Sequence, residues 1–205
     1  MKKIILSAIA VCAFGFANAQ DKGGSGLASG NIVLTGDANY TSTTSGDVKL
    51  NTMTLSPGLG YMMSDNLMLL GQIGISSGSE STGVAGSTDA KTSGLALNAG
   101  VRYFFTPADS FSLSLGGVFG YGSVKSNVDP EDGSILAEDL KVNVTSLTVP
   151  VGFHYFMNDH FAVNATWGGL GYASAKADVD GAEAVNSLNL GLNMSSVSFG
   201  LLYKL

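Results

Sequence analysis

Residues 94–116 read GLALNAGVRYFFTPADSFSLSLG, and one period governs both sides of the centre. Before it, Leu95, Leu97, Ala99, Val101 and Tyr103 alternate with Gly94, Asn98, Gly100 and Arg102. After it, Phe111, Leu113 and Leu115 alternate with Ser112, Ser114 and Gly116. Successive side chains on a β-strand point to opposite faces, so each half predicts a strand with one apolar face and one small or polar face. Thr106-Pro107-Ala108-Asp109 predicts a short turn between them. The stretch therefore reads as a β-hairpin.

The same period extends outward in both directions. Upstream, Ile32, Leu34, Ala38 and Tyr40 form one apolar face, Met53, Leu55, Leu59 and Tyr61 a second, and Leu67, Leu69, Ile73 and Ile75 a third. The strand begun at Phe111 continues through Phe119 and Tyr121. Downstream come Leu147, Val149, Val151, Phe153 and Tyr155, then Phe161, Val163, Ala165 and Trp167, and finally Val197, Phe199, Leu201, Tyr203 and Leu205. That makes eight strands. Pro57 and Pro150 fall inside two of them, where a missing ladder donor predicts a bulge. Leu188 to Met194 keep even numbers and Val197 to Leu205 odd ones, which predicts a bulge near Ser195-Ser196 or a strand extended above the membrane.

Alternation alone fits a soluble sandwich, apolar side inward, or a membrane barrel, apolar side outward. Three features select the barrel. The links alternate in length: 63–66, 106–109 and 157–160 are short, whereas those around 41–49, 77–92, 122–140 and 173–187 are longer and carry much of the acidic charge. Outer-membrane barrels have this asymmetry of short periplasmic turns and longer external loops. Aromatic residues come in two sets, with Tyr61, Tyr103, Phe111, Tyr155, Phe161 and Tyr203 beside the short turns or at the final strand's end. Tyr40, Tyr121 and Tyr172 lie towards the other end. Ten tilted residues climb roughly 26 Å, against an apolar band of about 25 Å, so the two sets predict girdles at the two membrane interfaces. Finally, a repeat places a glycine three residues before a tyrosine at Gly58/Tyr61, Gly100/Tyr103 and Gly152/Tyr155, each followed by bulky residues and a turn.

The ends and the composition agree. Lys2 and Lys3 precede an apolar run from Ile4 to Phe16, and Ala17-Asn18-Ala19 offers small residues before a cut at Gln20. This is the layout of a secretory signal peptide, too short to span a bilayer as a helix. We expect residues 1–19 to be the signal, 20–30 a short periplasmic segment and 31–205 the barrel. Cutting there removes the one cysteine, Cys12, excluding disulfides and thiolate chemistry, and takes the formal charge two units down from −6 to −8. An acidic chain argues against a nucleic-acid partner. Charged residues make up 13% of the chain, against about a quarter in soluble domains.

With its Tyr-aromatic-turn repeats, its Ala17-Asn18-Ala19-Gln20 signal end and its last strand Val197-Ser198-Phe199-Gly200-Leu201-Leu202-Tyr203-Lys204-Leu205, the chain resembles the outer-membrane-protein β-barrel domain family. That family includes the small eight-stranded barrels related to the OmpA transmembrane domain and to OmpX. The resemblance implies an all-β, eight-stranded antiparallel up-and-down transmembrane barrel in the cell outer membrane of a Gram-negative organism. It also implies insertion by the outer-membrane assembly machinery, which reads the last strand. Family members usually end in an aromatic residue; here Leu205 is last and Tyr203 the nearest aromatic.

The sequence offers little chemistry. His160 falls in a short turn and His154 on the lumen face near the same end, away from any outer-leaflet substrate, so no catalytic residue, cofactor or metal is expected. Gly116-Gly117 and Gly168-Gly169 open no helix and read as strand kinks or close lumen packing. Asp129, Glu131 and Asp132, and again Asp178, Asp180 and Glu183, fill no complete calcium-ligand pattern and read as solvated charge. The polar faces do converge on a lumen cluster: Asp37, Gln72, Asn98, Arg102, His154 and Asn164. Asp37 is the expected partner of Arg102, since an unpaired buried charge is costly. A structural plug is the favoured reading of this cluster and a narrow pore the other. We therefore expect a non-enzymatic barrel with a structural or surface-interaction role, displaying four acidic or polar loops. The alternative is a narrow channel for small solutes. Membrane lipids and lipopolysaccharide are the expected partners, beside an unidentified loop partner.

Overall fold

The computed structural model describes residues 27–81, 90–108, 110–128, 140–191 and 197–205. The expected signal peptide, Cys12 and the acidic cluster at 129–132 lie outside these. The alternating stretches form strands β1 (Ile32–Ser45), β2 (Val48–Met62), β3 (Leu67–Ser81), β4 (Ala90–Ala108), β5 (Phe111–Val128), β6 (Leu140–Phe156) and β7 (Phe161–Ala177), followed by β8 (Val185–Leu190) and β9 (Ser198–Lys204). Each of the first seven pairs antiparallel with the next. β9 pairs with both β7 and β1, which closes the ring. β8 pairs with the upper part of β7, so β8 and β9 share the eighth position of one closed barrel.

Hydrophobic alternation explains which side faces out. Leu97 is 62% exposed and Phe119 53%, while Arg102 and Asn164 on the opposite parity are 5% and 6% exposed. Water would penalise such an exterior and hydrocarbon would not. Among the described residues no helix is long and apolar enough to cross a membrane. The aromatic residues read as girdles point outward with the apolar side chains. Around the short-turn end Tyr61 pairs with Ile32, Tyr103 with Leu67, Tyr155 with Phe111 and Tyr203 with Phe161. Towards the other end Tyr40 pairs with Met53, Tyr121 with Leu97 and Tyr172 with Leu147.

Several expectations need correction. The link at 41–49 is not a long loop: Ser45 pairs with Val48, leaving only Gly46 and Asp47 to turn. Gly46 takes φ 61°, the left-handed value that such two-residue turns demand. Much of 77–92, 122–140 and 173–187 is likewise strand, because β3, β4, β5, β6 and β7 continue past the apolar band as a polar ladder. β4 also runs to Ala108, so the lower turn begins later than 106, with a register irregularity between Phe105 and Ala108.

The prolines behave differently from each other. At Pro150 the β6–β7 register shifts, Val149 facing Leu170 and Pro150 facing Gly168, so Gly169 is the extra residue. This bulge moves the outward parity of β7 from Phe161 and Val163 to Leu170 and Tyr172. At Pro57 there is no bulge. The β2–β3 ladder skips from Leu55/Ile75 to Gly58/Gln72 in unchanged register, and Pro57 still faces Gly36 of β1. The bulge expected near Ser195-Ser196 lies outside the described residues; β8 ends at Leu190 and β9 begins at Ser198. On β7, Thr166 faces Ser198 of β9 and Leu170 faces Leu190 of β8.

Candidate functional site: the barrel lumen

The lumen has two layers. Nearest the short turns lies an apolar floor of Val33, Met62, Met68, Leu70, Phe104, Phe156, Ala162 and Leu202, all buried against one another. Leu27, just before β1, packs onto it from the end. The segment is tied there by Gly30 N–H donating to the Met62 carbonyl at 2.8 Å and Ser29 N–H to Asp65 Oδ1 at 2.9 Å. The interior is therefore not polar throughout. These side chains share the inward parity of Asn98 and Arg102. Phe104 and Phe156, next in sequence to the outward Tyr103 and Tyr155, take the opposite face.

Above the floor lies the polar layer, and strand register assembles it. Asp37 faces Gly200, Gly200 faces Asn164, and Asn164 faces His154 across β1, β9, β7 and β6. On the other side Gln72 faces both Gly58 and Asn98, and Asn98 faces Gly120. Gln72 Nε2 donates to Asp37 Oδ2 at 2.9 Å, and Asn164 Nδ2 donates to Asp37 Oδ1 at 2.9 Å. Asn164 Nδ2 also reaches Thr166 Oγ1 at 3.3 Å. Each carboxylate oxygen thus holds an amide donor. Asp37 answers the buried Arg102 through its field, while these amides occupy its oxygens.

His154 joins a different partner, its Nε2 lying 2.8 Å from Ser114 Oγ, with both residues buried. Its ring centroid is 5.0 Å from that of Phe104, at the boundary with the floor, and its Nδ1 is buried without a hydrogen bond. Ser114 and Thr166 were not foreseen, although inward parity marks both. The close packing requires glycine at several places. A Cβ on Gly200 would collide with Asp37 Oδ1, and one on Gly152 would sit 2.6 Å from Ser114 Oγ and 3.0 Å from His154 Nε2. Of the paired glycines read as strand kinks or close lumen packing, Gly169 is the extra residue of the β7 bulge and the others pack less tightly. Gly117 and Gly168 have open space at the Cβ position, and Gly116 abuts Pro150.

His160 lies in the last short turn, its Nδ1 3.0 Å from the Lys204 carbonyl oxygen. At the far end Lys141 Nζ pairs with Asp178 Oδ2 at 2.8 Å. That hydrogen bond first, and the attached charge second, holds the Asp178 carboxyl below its ordinary range and raises the Lys141 ammonium. No group of three or more metal-ligating side chains occurs among the described residues.

An apolar exterior, a ring of antiparallel strands and a filled lumen define an integral β-barrel membrane protein. The sequence matches the outer membrane protein beta-barrel domain over residues 4–204, and the chain belongs to that family. No curated protein matches it. Among solved structures, the outer membrane protein OprG from Pseudomonas aeruginosa is similar with a TM-score of 0.57 at 14% identity, over 88% of this chain and 98% of that one. Neisserial surface protein A gives 0.48 at 16% identity, over 85% and 97% of the two chains. Ail, the attachment invasion locus protein of Yersinia pestis, gives 0.44 at 14%, over 86% and 99%. The protein is thus a Gram-negative outer-membrane barrel.

Proposed function

We propose that the protein is a sealed, non-enzymatic scaffold, with its short turns in the periplasm and its long strand tips and links at the cell surface. The observation that carries this is the apolar floor. Eight buried side chains pack against one another beneath the polar layer, which supports a lumen closed at that end. The Ser114–His154 pair lies against this floor and remote from the outer leaflet, which suits a packing role better than catalysis. The polar layer then serves as a plug that fixes the barrel's cross-section. A narrow solute channel, the other reading, would need both layers to part.

Membrane lipid surrounds the outward aromatic residues, whose amphipathic rings suit the headgroup level. The assembly machinery would read β9, which presents Phe199, Leu201 and Tyr203 outward. The surface tips and links would meet a partner outside the cell.

Two measurements test the scaffold. Purified protein in planar bilayers should stay silent, and discrete conductance steps would remove the sealed reading. Deleting 82–89 and 129–139, which spares the described ladders, should leave a heat-modifiable barrel while altering cell-surface binding or envelope integrity. Unchanged behaviour in both assays would count against a surface role.

A further inference from the structure

Five of the six lysines in the described residues, Lys49, Lys91, Lys125, Lys141 and Lys176, lie on the ladder beyond the upper aromatic residues. Register gives their facing. Lys125 follows Tyr121 by four residues on β5, and Lys176 follows Tyr172 by four on β7, so each shares the outward face of its tyrosine. Lys49 pairs with Thr44, four residues beyond Tyr40 on β1. Lys91 shares the outward parity of Leu95 and Leu97 on β4 and faces Asn127. Lys141 faces Lys125 directly across β5 and β6. Four tilted residues rise roughly 10 Å, so Lys49, Lys125, Lys141 and Lys176 stand above the interfacial rings, with Lys91 two residues higher on β4.

Their surroundings are uneven in charge. Directly opposed like charges on neighbouring strands destabilise an antiparallel pair. Asp178 pairs with Lys141 at 2.8 Å and so neutralises the charge opposed to Lys125, which keeps its own charge free for an outside anion. Glu80 has the inward parity of β3, and Asp47, Asp180 and Glu183 belong to the links above the strands. The described outward wall at this height is therefore basic, although the whole chain is acidic. A cationic belt at the membrane surface fits anionic headgroups, and phosphate is the group that ammonium point charges hold well.

We infer that this lysine band engages the phosphate groups of outer-leaflet glycolipid headgroups and so anchors the barrel in its membrane. The inference rests on the orientation proposed above, with the strand tips outside. Phosphates reach Lys125, Lys91 and Lys176 from the bilayer side, and the acidic links above discourage binding further out.

The test uses the full protein refolded into vesicles containing lipid A, with its dephosphorylated counterpart and zwitterionic phospholipid as controls. Lysine acetylation is followed residue by residue by mass spectrometry, and folding by heat-modifiable gel mobility. Acetylation at Lys49, Lys91, Lys125 and Lys176 should slow about five-fold with phosphorylated lipid A alone. Equal rates in all three vesicles, with the heat shift intact, would overturn the lysine band and leave the barrel standing. Slowing in every vesicle would also overturn it, because simple burial would then be the cause. Loss of the heat shift would instead strike the barrel reading. A variant with Lys49, Lys91, Lys125 and Lys176 all changed to Gln should fold yet co-purify with markedly less phosphorylated lipid A. Undiminished lipid in the folded variant would overturn the inference.

Discussion

Asp37 is a single carboxylate holding two amide donors and answering one guanidinium. Gln72 and Asn164 occupy its oxygens, and the buried Arg102 feels its charge. Asp37→Asn replaces one of its two acceptor oxygens by a donor and should destabilise the barrel by about 1–3 kcal/mol. The urea midpoint of the vesicle-embedded protein measures this, and adding Arg102→Met should recover part of the loss. Gly200→Ala forces a Cβ against Asp37 and Asn164 and should cost about 1–3 kcal/mol in the same assay. The polar six could be read in the sequence because parity alone puts them inside. Their partners were less legible. Nothing in a string of residues says that Asp37 would spend its oxygens on Gln72 and Asn164, or that His154 would turn to Ser114. Those choices depend on which strands meet across the ring and on the space an inward glycine leaves.

At the scale of the strand, depth decides what a substitution costs. Leu115 lies outward between Phe111 and Tyr121, whereas Ser123 shares that parity two residues above Tyr121. Leu115→Arg should therefore cost about 2–4 kcal/mol and Ser123→Arg about 0–1 kcal/mol in reversible unfolding from vesicles. The β6–β7 tip makes a pH prediction. Asp178 is held below its ordinary range by Lys141, so its contribution is present above the unfolded carboxylate value and fades as pH falls through the lower, folded one. Lys141 is raised, so its share persists below the unfolded ammonium value and fades as pH climbs through the folded one. Carboxyl-carbon NMR should place the Asp178 midpoint below the free value, and Lys141→Gln should return it towards normal. The lower portions of the strands were legible from alternation because lipid and lumen impose opposite chemistry on the two faces. Their upper ends were not. Above the apolar band both faces of Thr41–Ser45 and Ser76–Ser81 meet water, alternation ceases, and a polar ladder looks like a loop. The eighth position showed in the sequence only as a change of parity between Leu190 and Val197, since an even-numbered apolar face carries no mark of which part of β7 it will meet.

For the molecule as a whole, the two lumen layers act in series, and a series arrangement has a distinctive signature. If the floor and the polar layer each block passage, opening one leaves the other closed. Met68→Ala, Phe104→Ala and Phe156→Ala together would hollow the floor, each at about 2–5 kcal/mol, so heat-modifiable mobility must first show that a barrel remains. That floor variant should stay silent in planar bilayers, because Asp37, Gln72 and Asn164 still bridge the lumen above it. Replacing Gln72 and Asn164 by Ala with the floor intact should be silent as well. Only the combined variant should conduct, in steps small enough for an eight-stranded bore. Conductance from the floor variant alone would mean that the polar residues do not seal and that the apolar layer is the sole barrier. Conductance from the polar variant alone would mean that the floor parts readily, which its dense packing of methionine, phenylalanine and leucine argues against.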